Sequence, residues 1–253
     1  MSGTFEDHFA CVAQHYANSR PSYPAALFDW LAGQSAGHEL AWDCGAGSGQ
    51  ASVQLGRHFQ RVLATDASAA QIAQAVVHPR VDYRVAPAES SGLADHRADL
   101  VVVAQALHWF DLNRFYAEVV RVLKPGGLIA AWSYGVLQVE DEGIDSIVQR
   151  FYYDQVGPYW PPERRHVESA YQQLPFPFRR VAAPVFAMGV RWNLEQLLGY
   201  FRSWSATAGF IKAQGFDPVS ALAPRLRDCW GGDGRLRSVE WPLAMLAGRS
   251  DSA

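Results

Sequence analysis

Cysteine is scarce in this chain: Cys11, Cys44 and Cys229 are odd in number, widely spaced and include no C-x-x-C pair. That pattern argues against a disulfide framework or a zinc site and suits a reducing compartment. No apolar run approaches the roughly 18 residues a membrane span needs. The opening Met-Ser-Gly-Thr-Phe-Glu-Asp-His lacks the basic-then-apolar order of a signal peptide. A cytoplasmic protein with no membrane partner is expected. Positive charge is not in excess either, the formal net charge being −3. Nothing global therefore attracts phosphates, no nucleic-acid partner is expected, and a small-molecule substrate moves forward. Internal repeats and low-complexity tracts are absent.

What the chain does have is core material, with 253 residues of which 49% are hydrophobic. Residues 39–134 alternate apolar strands with helical stretches, which predicts an α/β fold with a parallel sheet covered by helices on both faces. Strands are expected at Leu40–Cys44, Arg61–Thr65, Asp82–Ala86, Leu100–Ala104 and Leu128–Ser133. Ser68 with Gln71 reads as a capping box before Ile72, Ala75 and Val76, and Asp111 as the start of a helix with Leu112, Phe115 and Val119 on one face. Beyond Tyr134 the texture changes to helical periodicity, aromatic clusters and proline-rich segments. Asn193 with Gln196, and Pro218, mark further helix starts, while Val185–Trp192 and Val239–Ala247 read as two last, antiparallel strands. Three parts are expected: an N-terminal helical segment over 1–36, a sheet core over 37–135, and a helical cap with the last strands over 136–253.

The chemistry begins at Asp43-Cys-Gly-Ala-Gly-Ser-Gly49. Gly45, Gly47 and Gly49 permit positive φ and close backbone approach at a strand-to-helix turn. Asp43 stands two residues before the first glycine, where a carboxylate repels a pyrophosphate and attracts an ammonium or sulfonium group. The spacing also misses a dinucleotide fingerprint, because G-x-G-x-x-G from Gly45 needs glycine at Gln50. Asp66 ends the second strand 21 positions after Gly45, the separation at which an acid reaches a ribose diol. Ala67 then lines the adenine edge, and Ala88 and Glu89, in the loop after the third strand, are adenine-contact candidates. Gln105 ends the fourth strand where the methionine end of such a cofactor meets substrate. His108 is either a proton acceptor or a member of a packed wall; Trp109 either covers adenine or belongs to the core.

Asp-x-Gly-x-Gly-x-Gly resembles the first motif of class I S-adenosylmethionine-dependent methyltransferases. With Tyr16-Ala-Asn-Ser-Arg-Pro-Ser-Tyr-Pro24 and Gln105-Ala-Leu-His-Trp-Phe110, the chain is similar to the type 11 methyltransferases, in the branch of trans-aconitate methyltransferases. The resemblance spans most of residues 5–135 and continues through Tyr159-Trp-Pro-Pro-Glu-Arg164 and Ser203-Trp-Ser205. It implies a Rossmann-like, seven-stranded, mostly parallel sheet and S-adenosyl-L-methionine as cofactor, with S-adenosyl-L-homocysteine as product. It further implies that Tyr16, Arg20 and Tyr23 form a lid over the methionine carboxylate.

Tyr159, Trp160 and Trp204, with Arg164, Arg165 or Arg202, offer an aromatic pocket with a cationic handle, suited to a small organic acid or another compact, partly apolar molecule. Methyl transfer to its carboxylate or hydroxyl, driven mainly by positioning, requires no essential general base. The readings set beside this are methylation of RNA or protein, a non-catalytic cofactor-binding module, and a nicotinamide dehydrogenase, which Asp43 opposes. Either a monomer or a homodimer suits the sequence.

Overall fold

A computed structural model describes residues 21–232 and 234–250. The described chain divides into two units, one built from Tyr23–Gly135, Arg165–Ala187 and residues 242–250, the other from Val136–Arg164 and Met188–Trp241.

The first unit is a sheet. Its strands β1 (Leu40–Cys44), β2 (Arg61–Asp66), β3 (Val81–Val85), β4 (Ala98–Ala104) and β5 (Leu123–Tyr134) lie parallel in the order β3-β2-β1-β4-β5. The runs that build the middle strands are doubly covered: Leu100, Val101, Val102 and Val103 are all fully buried, as a parallel sheet with helices on both faces requires. Residues 243–249 of β9 (Arg237–Arg249) add an antiparallel strand against β5, from Leu128↔Arg249 to Tyr134↔Leu243. The short β7 (Arg179–Arg180) pairs with the end of β9.

Helices α1 (Ala25–Gln34), α2 (Gln50–Leu55), α3 (Ala69–Ala73) and α4 (Leu112–Val122) belong to this unit. At the start of α4, Asp111 accepts from the Arg114 amide, and Phe115, Val119 and Val122 enter the core as their spacing predicts. The helix after Ser68 is shorter than its sequence suggests. Ser68 caps it through the Gln71 amide, but the Val76 amide donates to Ser48 O at 3.1 Å, so that turn leaves the helix and the Val76 side chain is exposed.

Residues 165–187, expected in the cap, fall within the sheet unit. Val167, Tyr171 and Phe178 are buried in the same apolar cluster as Trp42, Phe115 and Ile129, and the Tyr116 hydroxyl donates to Pro175 O at 2.9 Å. The segment therefore packs its apolar side chains on α4, a long-range match that local periodicity does not encode.

The second unit is mostly helical, with α5 (Glu142–Arg150), a π-turn at Phe151–Gln155, α7 (Leu194–Arg202), α8 (Ser205–Gln214) and α9 (Pro218–Trp230). The short α6 (Arg164–Glu168) begins at its boundary residue. Asn193 and Gln196 form a complete capping box on α7, worth about 1 kcal/mol. Asp217 caps α9, with Pro218 at its first position. Here β6 (Gln138–Val139) pairs antiparallel with Val239 and Glu240 of β9. The strand β8 (Phe186–Trp192) also pairs with β9, so the strands among the described residues total nine rather than the expected seven, with β7 and β8 off the main path. Phe151, Tyr152, Trp160, Tyr200, Phe201 and Trp204 form a continuous ring lattice with centroids 4.7–5.9 Å apart.

Candidate active site

Strand β1 delivers Asp43 between Ala64 of β2 and Val102 of β4, then the chain turns through the glycines into α2. Gly45 has φ +73° and Gly49 φ +87°, values that L side chains rarely adopt. A Cβ at Gly45 would stand 2.6 Å from Ala106 Cβ, and one at Gly49 would collide with the Tyr83 hydroxyl. Glycine is thus dictated by space as well as by φ.

Four of the loop amides are committed internally. Gly45 and Ala46 both donate to Thr65 O, at 2.8 and 3.0 Å, and Gly49 donates to Ala46 O at 2.9 Å. The Gly47 amide donates to Asp66 Oδ2 at 2.8 Å, while Asp66 Oδ1 accepts from the Ser68 amide at 2.8 Å. A pyrophosphate needs amides aimed at it; these four already have acceptors. The end of β2 is therefore tied to the glycine turn through Asp66, whose oxygens retain lone pairs for hydroxyl donors. Ala67 beside it is exposed.

Asp43 lies beneath the loop rather than in it, fully buried. Its Oδ2 accepts from Ser52 Oγ at 2.5 Å, and Oδ1 has no partner among the described residues. Burial pushes its carboxyl up to about 7, opposed by the Ser52 hydrogen bond and reinforced by the Asp66 charge. This corrects the expectation of a fully ionised carboxylate: near neutral pH the group is poised between its two forms. A cation brought near it would favour the charged form and satisfy a buried acceptor that the described residues leave unmatched. Cys44 is a packing residue, its thiol raised well above the usual range by burial.

Ala88 is buried in the apolar cluster, so only its backbone can serve a ligand. Glu89 Oε1 accepts from the Asp111 amide at 3.1 Å, holding the loop after β3 to the start of α4. Gln105 differs from expectation. It adopts φ +62°, its amide donates to Trp132 O, its Nε2 donates to Tyr134 O at 2.8 Å and its Oε1 accepts from the Tyr134 amide at 3.3 Å. Both polar ends of its side chain thus extend the β4–β5 ladder instead of facing a ligand.

His108 follows in a 3₁₀ turn at Leu107–Trp109. Its Nδ1 lies 2.9 Å from the hydroxyl of Tyr171, a residue the sequence did not single out, and its ring packs on Trp109 with centroids 4.8 Å apart. Trp109 is 39% exposed, which removes it from the core. Tyr23 packs edge-on against Trp132 at 5.4 Å and Tyr134 at 6.4 Å. Tyr16 and Arg20, and with them most of the expected lid, lie outside the described residues.

In the helical unit, Trp160, Arg164 and Trp204 come together. The Arg164 guanidinium sits 4.7 Å from the Trp160 ring centroid and its Nε donates to the Tyr152 hydroxyl at 2.8 Å. The Trp160 and Trp204 rings are 5.7 Å apart, and Trp160 Nε1 is a buried donor with no acceptor among the described residues. Tyr152, fully enclosed between them, was missed because nothing in its local spacing marks it. Among the described residues no three His, Cys, Asp or Glu side chains gather as a metal site, and no helix is long and apolar enough to cross a membrane.

A family model for a methyltransferase domain, type 11, matches residues 42–131, the span that carries β1 to β5 and the glycine loop. A Dictyostelium discoideum protein assigned as a methyltransferase is 32% identical over 98% of this chain and 96% of its own. Methyltransferase cfoB of Aspergillus candidus is 27% identical over 83% of this chain and 74% of its own. The solved structure of a protein assigned as a type II methyltransferase, from Anaeromyxobacter dehalogenans, is 47% identical, covers 92% of this chain and 99% of its own, and superposes with a TM-score of 0.88. Sheet order, glycine turn and whole-length likeness agree, and the chain belongs to the class I S-adenosylmethionine-dependent methyltransferases of the type 11 family.

Proposed function

We propose that this chain binds S-adenosylmethionine at the C-terminal ends of β1, β2 and β3 and methylates a small organic molecule that carries a carboxylate or hydroxyl. The observation that carries the cofactor reading is the internal commitment of the Gly45, Ala46, Gly47 and Gly49 amides beside a buried Asp43 carboxyl whose Oδ1 has no partner among the described residues. Such a site suits a cationic ligand and opposes a dinucleotide. The bound cofactor supplies a sulfonium methyl group, which an acceptor lone pair takes while sulfur keeps the electron pair. Asp66 accepts from ribose hydroxyls, and the turn at Ala88 and Glu89 borders the adenine. Tyr23, together with Tyr16 and Arg20, covers the methionine end.

Arg164 is the handle for the substrate's anionic group. A guanidinium laid on Trp160 and tethered to Tyr152 keeps its planar face in an apolar wall and directs its donors edge-on, the geometry in which arginine binds a carboxylate. Negative net charge supports a small substrate over nucleic acid. A cytoplasmic location, no membrane or nucleic-acid partner, and a monomer or homodimer complete the reading.

Two measurements test it. Calorimetry with S-adenosylhomocysteine and with NAD should give heat only for the former. Incubation of a metabolite extract with methyl-labelled cofactor should give a labelled compound below the protein size range, its methyl released as methanol by alkali if the acceptor is a carboxylate and retained if it is a hydroxyl. Label found only in RNA or protein would overturn the substrate reading.

A further inference from the structure

Three of the four described non-glycine residues with positive φ lie within three positions of the hydrogen-bonded pair His108 and Tyr171. Gln105 (φ +62°) directly follows β4, and Ala170 (φ +53°) and Tyr171 (φ +59°) form the turn that follows α6. Side chains with a Cβ adopt this region at a cost, which folds tolerate where the surroundings over-determine the conformation, often beside a working site. The α6 exit is held by Ala170 N donating to Val167 O at 2.9 Å and Tyr171 N donating to His166 O at 2.8 Å, an arrangement that glycine usually serves. Its result is to put the Tyr171 ring, fully buried, against His108, with centroids 5.9 Å apart and the hydroxyl 2.9 Å from Nδ1. Three residues before His108, Gln105 locks the start of the same loop to β5.

The heavy-atom distance leaves the position of the shared proton to chemistry. A phenol O–H is a far better proton donor than the N–H of neutral imidazole, and a bare imidazole nitrogen is a better acceptor than a phenol oxygen. The stronger pairing is Tyr171 donating into Nδ1, and the tautomer follows from that bond because the ring's single proton then resides on Nε2. We propose that Tyr171 is a positioning residue that holds His108 as the Nε2–H tautomer, making Nε2 a hydrogen-bond donor and not a base. Whatever meets Nε2, whether protein, cofactor or substrate, meets N–H.

The inference deepens the proposed function without depending on it. If His108 borders the acceptor, it stabilises an oxygen that already carries charge and removes no proton, which agrees with methyl transfer driven by positioning.

The test is nitrogen-15 NMR of the histidine rings, with the His108 signals identified by their loss in His108→Gln. At about pH 8.5, where an ordinary imidazole is neutral, the expected spectrum shows a pyridine-type Nδ1 and a pyrrole-type Nε2. In Tyr171→Phe, which keeps the ring and deletes the hydroxyl, the two shifts should move toward each other as both tautomers become populated. A pyrrole-type Nδ1 in the unmodified protein, neutral or as imidazolium, overturns the proposal without any variant; shifts unchanged in folded Tyr171→Phe overturn it also. Because the readout needs no ligand, its failure is distinct from a failure of S-adenosylhomocysteine binding.

Discussion

Gln105 pairs with Tyr134 as though its side chain were one more residue of strand β4, donating to the Tyr134 carbonyl and accepting from the Tyr134 amide. Such a pairing needs a donor and an acceptor at opposite ends of one planar group. Gln105→Glu keeps shape but sets an oxygen against the Tyr134 carbonyl, and the variant should lose about 1–3 kcal/mol of stability. Its thermal melting point, compared with that of the unmodified protein, checks this; an unchanged melt would show the pairing to be incidental.

Asp43 predicts a pH dependence whose sign is set by burial. Its folded-state value of about 7 lies above the ordinary 3.8, so the folded protein holds this proton more tightly than the unfolded chain. The contribution of the group is fully present below the unfolded value, declines as pH rises through that interval, and is flat above about 7. Asp43→Asn keeps an acceptor for Ser52 and removes the titration. It should be as stable as the unmodified protein in acid and more stable in alkaline buffer, by up to a few kcal/mol. Melts across the pH range decide it, and a constant difference between the two proteins would contradict the assignment.

Asp66→Ala removes the carboxylate that ties Gly47 to the end of β2. Affinity for S-adenosylhomocysteine should fall at least about tenfold, the loss expected from one charge-assisted hydrogen bond. Asp66→Asn, which retains an acceptor but not the charge, should fall between the two in calorimetry. Equal affinities in all three would remove the residue from the cofactor site.

Arg164→Met preserves much of the apolar stem over Trp160 while deleting the guanidinium. With the substrate in hand, KM should rise about tenfold or more with a smaller change in kcat, because a carboxylate handle acts on ground state and transition state alike. A loss confined to kcat would place Arg164 in another role.

The parallel sheet was legible because its central strands are largely apolar runs ending at turn chemistry, and Asp111, Asn193 and Pro218 announced their helices through local cap chemistry. Asp66 stood out from its distance to the glycines. Other features depend on partners far along the chain. Tyr171 meets His108 across 63 positions, Gln105 meets Tyr134 across 29, and the ring cage around Arg164 includes a Tyr152 that looks like any helix residue from its neighbours. Charge state was equally hidden, since only the burial of Asp43 beside Ser52 shows that its carboxyl is not simply an anion. Periodicity reports which face of an element turns inward, and carries no information on what it meets there.

The packing of Trp109 against His108, rings tilted by 43°, has an optical consequence. A protonated imidazole quenches a neighbouring indole, and Trp109, 39% exposed, emits to the red of enclosed indoles such as Trp42, Trp132, Trp230 and Trp241. The part of the red-edge fluorescence that is lost in Trp109→Phe should therefore dim as the His108 ring becomes charged, so the protein carries its own lamp at the loop after β4, readable without label or ligand.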